Sequence, residues 1–271
     1  MGGDWFPAPT FYYAYHGRMT NDVTITMTTV GALSTNCYIC TRGDEAIVID
    51  PGHGAHVPVL SYMDDHDLTV TGVYLTHGHL DHSRDAGIIA NHFLVPVWLH
   101  QADVFMLEDS AGVFQDIDRI LDHDHMEQPE RVEYYDISRI DDSDTDTGGC
   151  EAPTNAAEPI TDPQRGIFPE VAIGGQVTLK TAVGPLTVLG TPGHSPGSTM
   201  LFLGKTCFGG DVLFRGGIGR TNLPGSNPHS MKSTLTDVVK ELPRKTMVLP
   251  GHGPSTTIDD ELQQNSFLRG L

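Results

Sequence analysis

Between Thr76 and His82 the chain reads Thr-His-Gly-His-Leu-Asp-His, which sets three histidines and one aspartate within six positions. Imidazole and carboxylate are the donors that hold borderline divalent metals. Packed this densely, His77, His79, Asp81 and His82 are too crowded to be satisfied core residues, and the segment reads as a metal site. Such a site needs partners from elsewhere, and the sequence offers three. His194 follows the apolar run 186–189 in Thr-Pro-Gly-His-Ser-Pro-Gly-Ser, Asp211 follows 205–208 in Gly-Gly-Asp, and His252 follows 246–249 in Pro-Gly-His-Gly-Pro. After each run Gly and Pro turn the backbone sharply and let a side chain point into a shared cleft. The chain is thereby constrained to a fold that gathers several strand ends along one edge.

Periodicity supplies the strands. Runs of β-branched and alternating apolar residues predict strands at 23–30, 36–41, 46–49, 69–75, 95–99, 177–181, 186–189, 200–203, 205–208 and 246–249. Helices are expected at 55–64, 83–92, 101–107, 228–242 and 260–268. Strand clusters with interleaved helices suggest two sheets face to face with helices outside. A lone histidine is usually a surface or core side chain, and His53, His56, His66, His92, His123 and His125 are read in that way.

HxHxDH followed by a lone His, a lone Asp and a last His resembles the metallo-β-lactamase fold superfamily, from about residue 23 to the C-terminal helix with one interruption. The resemblance implies an α/β fold, a four-layer αβ/βα sandwich of two mixed β-sheets flanked by helices. It also implies that His77, His79 and His194 hold one metal, that Asp81, His82 and His252 hold a second, and that Asp211 bridges them. Seven donors exceed the needs of one tetrahedral ion, while two ions about 3.5 to 4 Å apart use them all. Zinc is expected from ligand type, and iron or manganese suits the same set. Two such ions bring the pKa of a shared water from about 15.7 toward about 7. Asp81 would orient the resulting hydroxide and carry a proton to the leaving group.

Those donors fit hydrolysis of an ester, thioester, lactam or phosphoester alike. Residues 209–225, Gly-Gly-Asp-Val-Leu-Phe-Arg-Gly-Gly-Ile-Gly-Arg-Thr-Asn-Leu-Pro-Gly, look like the glyoxalase II-like branch. There the basic residue of a Gly-Arg or Gly-Lys turn contacts the glutathione part of a thioester, and Arg220 stands in that place. The plain alternative is an arginine that pairs with backbone carbonyls beside the site. Glyoxalase II carries an aromatic residue two positions later, where this chain has Asn222, a second candidate contact. Phe214 is read as core. Residues 251–258, Gly-His-Gly-Pro-Ser-Thr-Thr-Ile, resemble the short single-domain bacterial relatives of glyoxalase II. The expected function is hydrolysis of an acyl thioester such as S-lactoylglutathione or a related thiol conjugate. A persulfide dioxygenase of the same fold is the second reading, with one iron on His77, His194 and Asp211. A lactonase would use the same hydroxide, and a scaffold with structural metals is a third class.

Composition narrows the partners. Sixteen basic against 35 acidic residues give a formal charge of -19, which argues against nucleic acid or an anionic membrane surface. A small-molecule substrate remains. No run approaches the roughly 20 apolar residues of a membrane span, and residues 1–20 lack a basic region ahead of an apolar core, so a cytoplasmic enzyme is expected. A length of 271 residues suits one domain, 23–271, behind an N-terminal arm or extension at 1–22. An acidic insertion at about 108–165, with 17 acids and 4 bases, interrupts it. Its stretch 141–163 has almost no large apolar residue to offset ordering entropy and is expected to be a mobile loop. Two short amphipathic helices are expected at 113–121 and 132–140, as a lid or a solvated excursion. Cys37 and Cys40 form a C-x-x-C, but three residues apart on a strand they point to opposite faces. With Cys150 in the insertion and Cys207 in a buried strand, no disulfide framework is implied.

Overall fold

The computed structural model describes residues 13–15, 23–108, 126–137 and 170–271. Its first sheet runs β1 (Tyr13–Tyr15), β2 (Thr24–Val30), β3 (Thr35–Arg42), β4 (Glu45–Ile49), β5 (Thr69–Tyr74), β6 (Val97–Leu99) and β7 (Val132–Tyr134). Strands β1 to β4 pair antiparallel, and β4 to β7 pair parallel. Parallel neighbours need a crossover. Helix α1 (His56–Asp65) provides it before β5, and α2 (Leu80–Ser83) with α3 (Ala86–Phe93) provides it after. A 3-10 turn, Gln101–Asp103, and α4 (Phe105–Glu108) follow β6.

The second sheet contains β8 (Gln176–Thr181), β9 (Gly184–Gly190), β10 (Thr199–Leu203), β11 (Thr206–Gly210), β14 (Met247–Pro250) and β15 (Thr256–Thr257). Only β11 and β14 are parallel within it. A separate small hairpin joins β12 (Leu213–Phe214) and β13 (Gly217–Ile218). Helix α5 (Pro228–Ser233) precedes β14, and α6 (Ile258–Gln264) and α7 (Ser266–Arg269) close the chain.

Alternation along the strands sorts the side chains into three apolar layers. Cys37, Ile39, Ala46 and Val48 face Val59, Met63 and Ile89 of the first helical layer. Their neighbours Tyr38, Cys40, Ile47 and Ile49 point the other way, against Leu186, Val188, Leu201, Phe208 and Leu249 of the second sheet. Met200, Cys207 and Val248 on the far side of that sheet meet Met231, Leu235, Ile258 and Leu268. Helix, sheet, sheet, helix is thus the order of layers, the expected four-layer sandwich. Each fully buried Leu, Ile or Phe in these layers contributes about 1.5 to 3 kcal/mol. Cys37 and Cys40 fall in different layers, as their spacing on a strand requires, and both are free thiols, as is Cys207.

Several expectations need correction. Residues 132–134 form an edge strand parallel to β6, not the start of a helix over 132–140. Tyr135 directly after it is buried and donates its hydroxyl to Leu75 O at 3.1 Å, so this part of the acidic segment belongs to the sheet. The expected helix 83–92 is broken at Arg84 and Asp85, because the Asp85 carboxylate turns back to accept from His56 N and contacts His56 Nδ1. The helix expected over 228–242 is α-helical only to Ser233 and continues as a π turn, Thr234–Val238, and a 3-10 turn, Val239–Glu241. At the C-terminus Asn265 leaves helical geometry and caps α7 by accepting from Phe267 N, which splits the expected single helix. The expected helix at 113–121, the loop at 141–163 and Cys150 lie outside the described residues, as does most of the 1–22 arm. Among the described residues no helix is long and apolar enough to cross a membrane.

Candidate metal centre

Four strand ends meet at one edge of the sandwich. Strand β5 delivers Thr76, His77 and His79, and α2 begins at Leu80, so that Asp81 and His82 lie in its first turn. From the second sheet, the β9–β10 turn carries His194, Asp211 follows β11, and His252 follows β14. Gly193 in the Pro-Gly-His turn has φ +134, and a Cβ there would run into the backbone of Met231. Only glycine fits that combination of conformation and close approach. Backbone bonds tie the edge together: Thr199 N donates to Thr76 O at 2.8 Å, Asn36 N to Gly251 O at 2.7 Å and Gly251 N to Gly210 O at 2.8 Å.

All seven donors predicted from the sequence converge. Their ligand atoms fall into three overlapping groups: His77, His79 and His194; His77, His82 and Asp211; and Asp81, His82 and His252. His79 Nδ1 lies 3.1 Å from His77 Nε2 and 2.8 Å from His194 Nε2. His82 Nε2 lies 3.3 Å from His252 Nε2. His252 Nε2 lies 3.2 Å from Asp81 Oδ2, and His82 Nε2 lies 3.3 Å from Asp211 Oδ1. Asp211 approaches both halves, with its Oδ2 3.5 Å from His194 Nε2 and from His252 Nε2.

The opposite ring nitrogens are engaged elsewhere. His194 Nδ1–H donates to Arg220 O at 2.9 Å, and His252 Nδ1–H to Leu33 O at 3.1 Å. His82 Nδ1 sits 3.1 Å from Asp50 Oδ2. Thr76 donates its hydroxyl to Asp50 Oδ2, so its oxygen, 3.0 Å from His77 Nδ1, accepts from that ring. Four imidazoles therefore turn their Nε2 atoms toward the shared space, the arrangement that outer hydrogen bonds impose on metal-binding histidines. Lone pairs aimed at one another repel unless an electrophile or a proton lies between them. The donor set fits divalent metal.

Electrostatics divide the cluster. Burial holds His77 well below its ordinary range, pushes His79 down to about 3 and lowers His194, so these three rings are neutral. Burial acts the same way on His82 and His252, but the carboxylates override it. Asp81, Asp211 and Asp50 hold His82 well above its ordinary value, and Asp211 and Asp81 bring His252 to about 9. In return His82 and His252 hold Asp81 and Asp211 below the usual carboxylate range against the effect of burial. Both aspartates are ionised at neutral pH.

The donors form the floor of a cavity of about 300 Å³. His79, Asp81, His194, Asp211 and His252 line it together with Leu33, Leu80, Phe214, Leu223 and Arg220. Phe214 is thus a wall of the cavity and not core, with its ring 6.0 Å from that of His252. Arg220 does two things at once. Its backbone carbonyl orients His194, and its exposed side chain reaches the cavity, where Nε donates to Asn222 Oδ1 at 3.1 Å. Asn222 meets the cavity only through that contact. Of the other histidines, His56 pairs with Asp85 and His66 stacks on Tyr62, while His123 and His125 lie outside the described residues.

Sequence reasoning missed the supports. Asp50 accepts from Thr76 N and Thr76 Oγ1. Asn36 donates to Pro250 O and Gly253 O and fixes the loop of His252. Asp50 heads Asp-Pro-Gly at the end of a strand, the same punctuation that marks the other donors, and that pattern could have found it. Asn36 and Asp103, the latter wholly buried, carry no local pattern that sets them apart.

The family model described as the metallo-beta-lactamase superfamily matches residues 30–252. The probable metallo-hydrolase YqgX of Bacillus subtilis is 30% identical over 244 residues, covering 89% of this chain and 96% of that protein. Hydroxyacylglutathione hydrolase GloC of Haemophilus influenzae is 29% identical over 243 residues, covering 88% of this chain and 95% of that protein. Among solved structures, the BLEG-1 B3 metallo-beta-lactamase superposes with a TM-score of 0.66 at 27% identity, covering 90% of this chain and 99% of that one. TTHA1623 in a di-iron-bound form gives 0.59 at 27% identity, covering 89% and 98%.

Proposed function

Because the chain belongs to the metallo-beta-lactamase superfamily and is a metallo-hydrolase of that kind, we propose that it hydrolyses an acyl thioester of an acidic thiol at a binuclear site. The observation that carries the reading is the cavity itself. His79, Asp81, His194, Asp211 and His252 lie at its floor, with Asp211 Oδ2 3.5 Å from both His194 Nε2 and His252 Nε2; apolar walls rise from Leu33, Leu80, Phe214 and Leu223, and one cationic side chain, Arg220, reaches in. An acyl group suits the walls, an anionic carrier suits Arg220, and a scissile carbonyl between them would rest over the donors. The similarity to GloC, named a hydroxyacylglutathione hydrolase, points to the same class of substrate.

His77, His79 and His194 would hold one ion, Asp81, His82 and His252 the other, with Asp211 between them. When bound, divalent metals polarise a carbonyl and make water acidic enough to ionise near neutral pH. Zinc follows from the donor types; the di-iron form of TTHA1623 keeps iron in view. The protein's own groups do the rest. Asp81, ionised and held by Thr35 Oγ1 at 3.2 Å, faces the cavity and can take a proton from water and pass it to the departing thiolate. Leu33 and Phe214 exclude bulk water above it. Arg220 orients the carrier through charge. The protein is expected to work as a small-molecule enzyme without nucleic acid or membrane partners, in the cytoplasm.

The test is loss of the thioester absorbance of S-lactoylglutathione with zinc-loaded protein, with the Asp211→Ala protein as control. Turnover that depends on Asp211 supports the proposal. If the thioester persists while oxygen is consumed by iron-loaded protein with a persulfide, the dioxygenase reading replaces it; if a lactone alone is opened, a lactonase does.

A further inference from the structure

Asp103 lies outside every motif, yet it joins the two loops that carry the first donor cluster. It sits at the end of the 3-10 turn after β6, its side chain fully buried. Its Oδ2 accepts from Gly78 N at 3.0 Å, between His77 and His79, and from Ser195 Oγ at 2.6 Å, next to His194. Its Oδ1 accepts from Gly197 N at 2.6 Å in the same second loop. The fit extends to packing. A Cβ on Gly197 would stand 2.8 Å from Asp103 Cγ, and one on Gly78 would stand 2.7 Å from Asp103 O. Both loops are therefore glycine where they press on this residue. The two loops belong to different sheets, and a carboxylate that accepts from both fixes their separation.

We propose that Asp103 is a positioning residue that sets the distance between the 77–79 and 194–197 loops and so tunes the affinity of the His77, His79 and His194 cluster for its cation. Asn in its place keeps the volume but turns one acceptor into a donor. That donor then faces either Gly197 N–H or the Gly78 N–H and Ser195 pair, and one loop is released. The second cluster is held by other bonds: Asp50 on His82, and Leu33 O on His252. Its affinity should not change. The inference rests on the reading of these clusters as metal sites, which zinc binding by the unsubstituted protein tests separately.

Zinc affinity is measured by chelator competition on full-length protein in two backgrounds, His252→Ala, which spares the first cluster, and His194→Ala, which spares the second. Asp103→Asn is expected to weaken zinc about 10- to 100-fold in the first background and to leave the second unchanged. Ser195→Ala removes one of the three donors and should give a smaller loss in the same background only; it carries the test if Asp103→Asn does not fold. Val59→Ala, a cavity in the first helical layer, should lower the thermal midpoint without moving zinc affinity, which separates positioning from general destabilisation. Equal weakening in both backgrounds, or none in either, overturns the proposal.

Discussion

Asp50 Oδ2 stands 3.1 Å from His82 Nδ1, and the same buried carboxylate takes both the hydroxyl and the amide proton of Thr76, the residue on which His77 Nδ1 rests. One side chain thus orients a donor in each half of the cluster, His82 directly and His77 through one hydroxyl. Asp50 adopts φ +51, a conformation that Asp tolerates better than most residues. Asp50→Asn keeps size and polarity but weakens the grip on His82 and on Thr76. Zinc affinity should fall about 10- to 100-fold, read by chelator competition. Unchanged affinity would mean that the carboxylate serves packing alone.

The donors themselves should be far less tolerant. His79→Ala removes the ring that lies within 3.1 Å of two others, and Asp211→Ala removes the carboxylate whose Oδ2 approaches both His194 and His252. Each is expected to lower zinc content, measured by elemental analysis, by about one ion or more and to abolish nearly all turnover. A fully metallated, active Asp211→Ala protein would falsify the bridging role.

Most of the fold and the seven side chains that converge at the candidate site were legible in the sequence, for a physical reason. Strand alternation and the Gly/Pro turns after each run are local, and the donor types are chemically conspicuous; the layers to which Cys37 and Cys40 belong follow from parity alone. What was hidden depends on distant partners. Whether residues 132–134 form a helix or a strand is decided by the open edge of β6, and the break at Asp85 by His56, 29 positions earlier. Phe214 reads as core until the cavity beside it is known. Asp103 and Asn36 are polar residues in ordinary surroundings until the loops they hold, up to 217 positions away for Asn36, fold over them.

Asp103 should also leave a mark on stability. Burial, working against its three donors, pushes its pKa up from 3.8 to about 6. A carboxyl whose folded value is raised contributes stability fully present below its unfolded value and lost as pH rises through the folded one. Between about pH 3 and pH 7 the wild type should therefore lose roughly 3 kcal/mol relative to Asp103→Asn, most of it between about pH 4 and pH 6, on top of any pH-independent difference between them. Urea unfolding of both proteins without metal, at several pH values, checks this. Parallel pH profiles would show that the carboxylate ionises in the folded protein as easily as in the unfolded chain.

Arg220 has separable roles because its two functional parts are covalently distinct. The carbonyl that accepts from His194 Nδ1–H belongs to the backbone and survives any side-chain change, while the guanidinium that reaches the cavity does not. Arg220→Ala should thus keep its metal and its kcat within a few-fold, and raise KM for an anionic thioester about tenfold or more, the cost of one charge-assisted contact. A neutral thioester of the same acyl group should be nearly unaffected. Asn222→Ala, which only loosens the Nε contact at 3.1 Å, should move KM in the same direction by less. Loss of metal from Arg220→Ala would instead make the side chain a support of the loop that holds His194, and the charge of the carrier thiol would then have to be read by another part of the cavity.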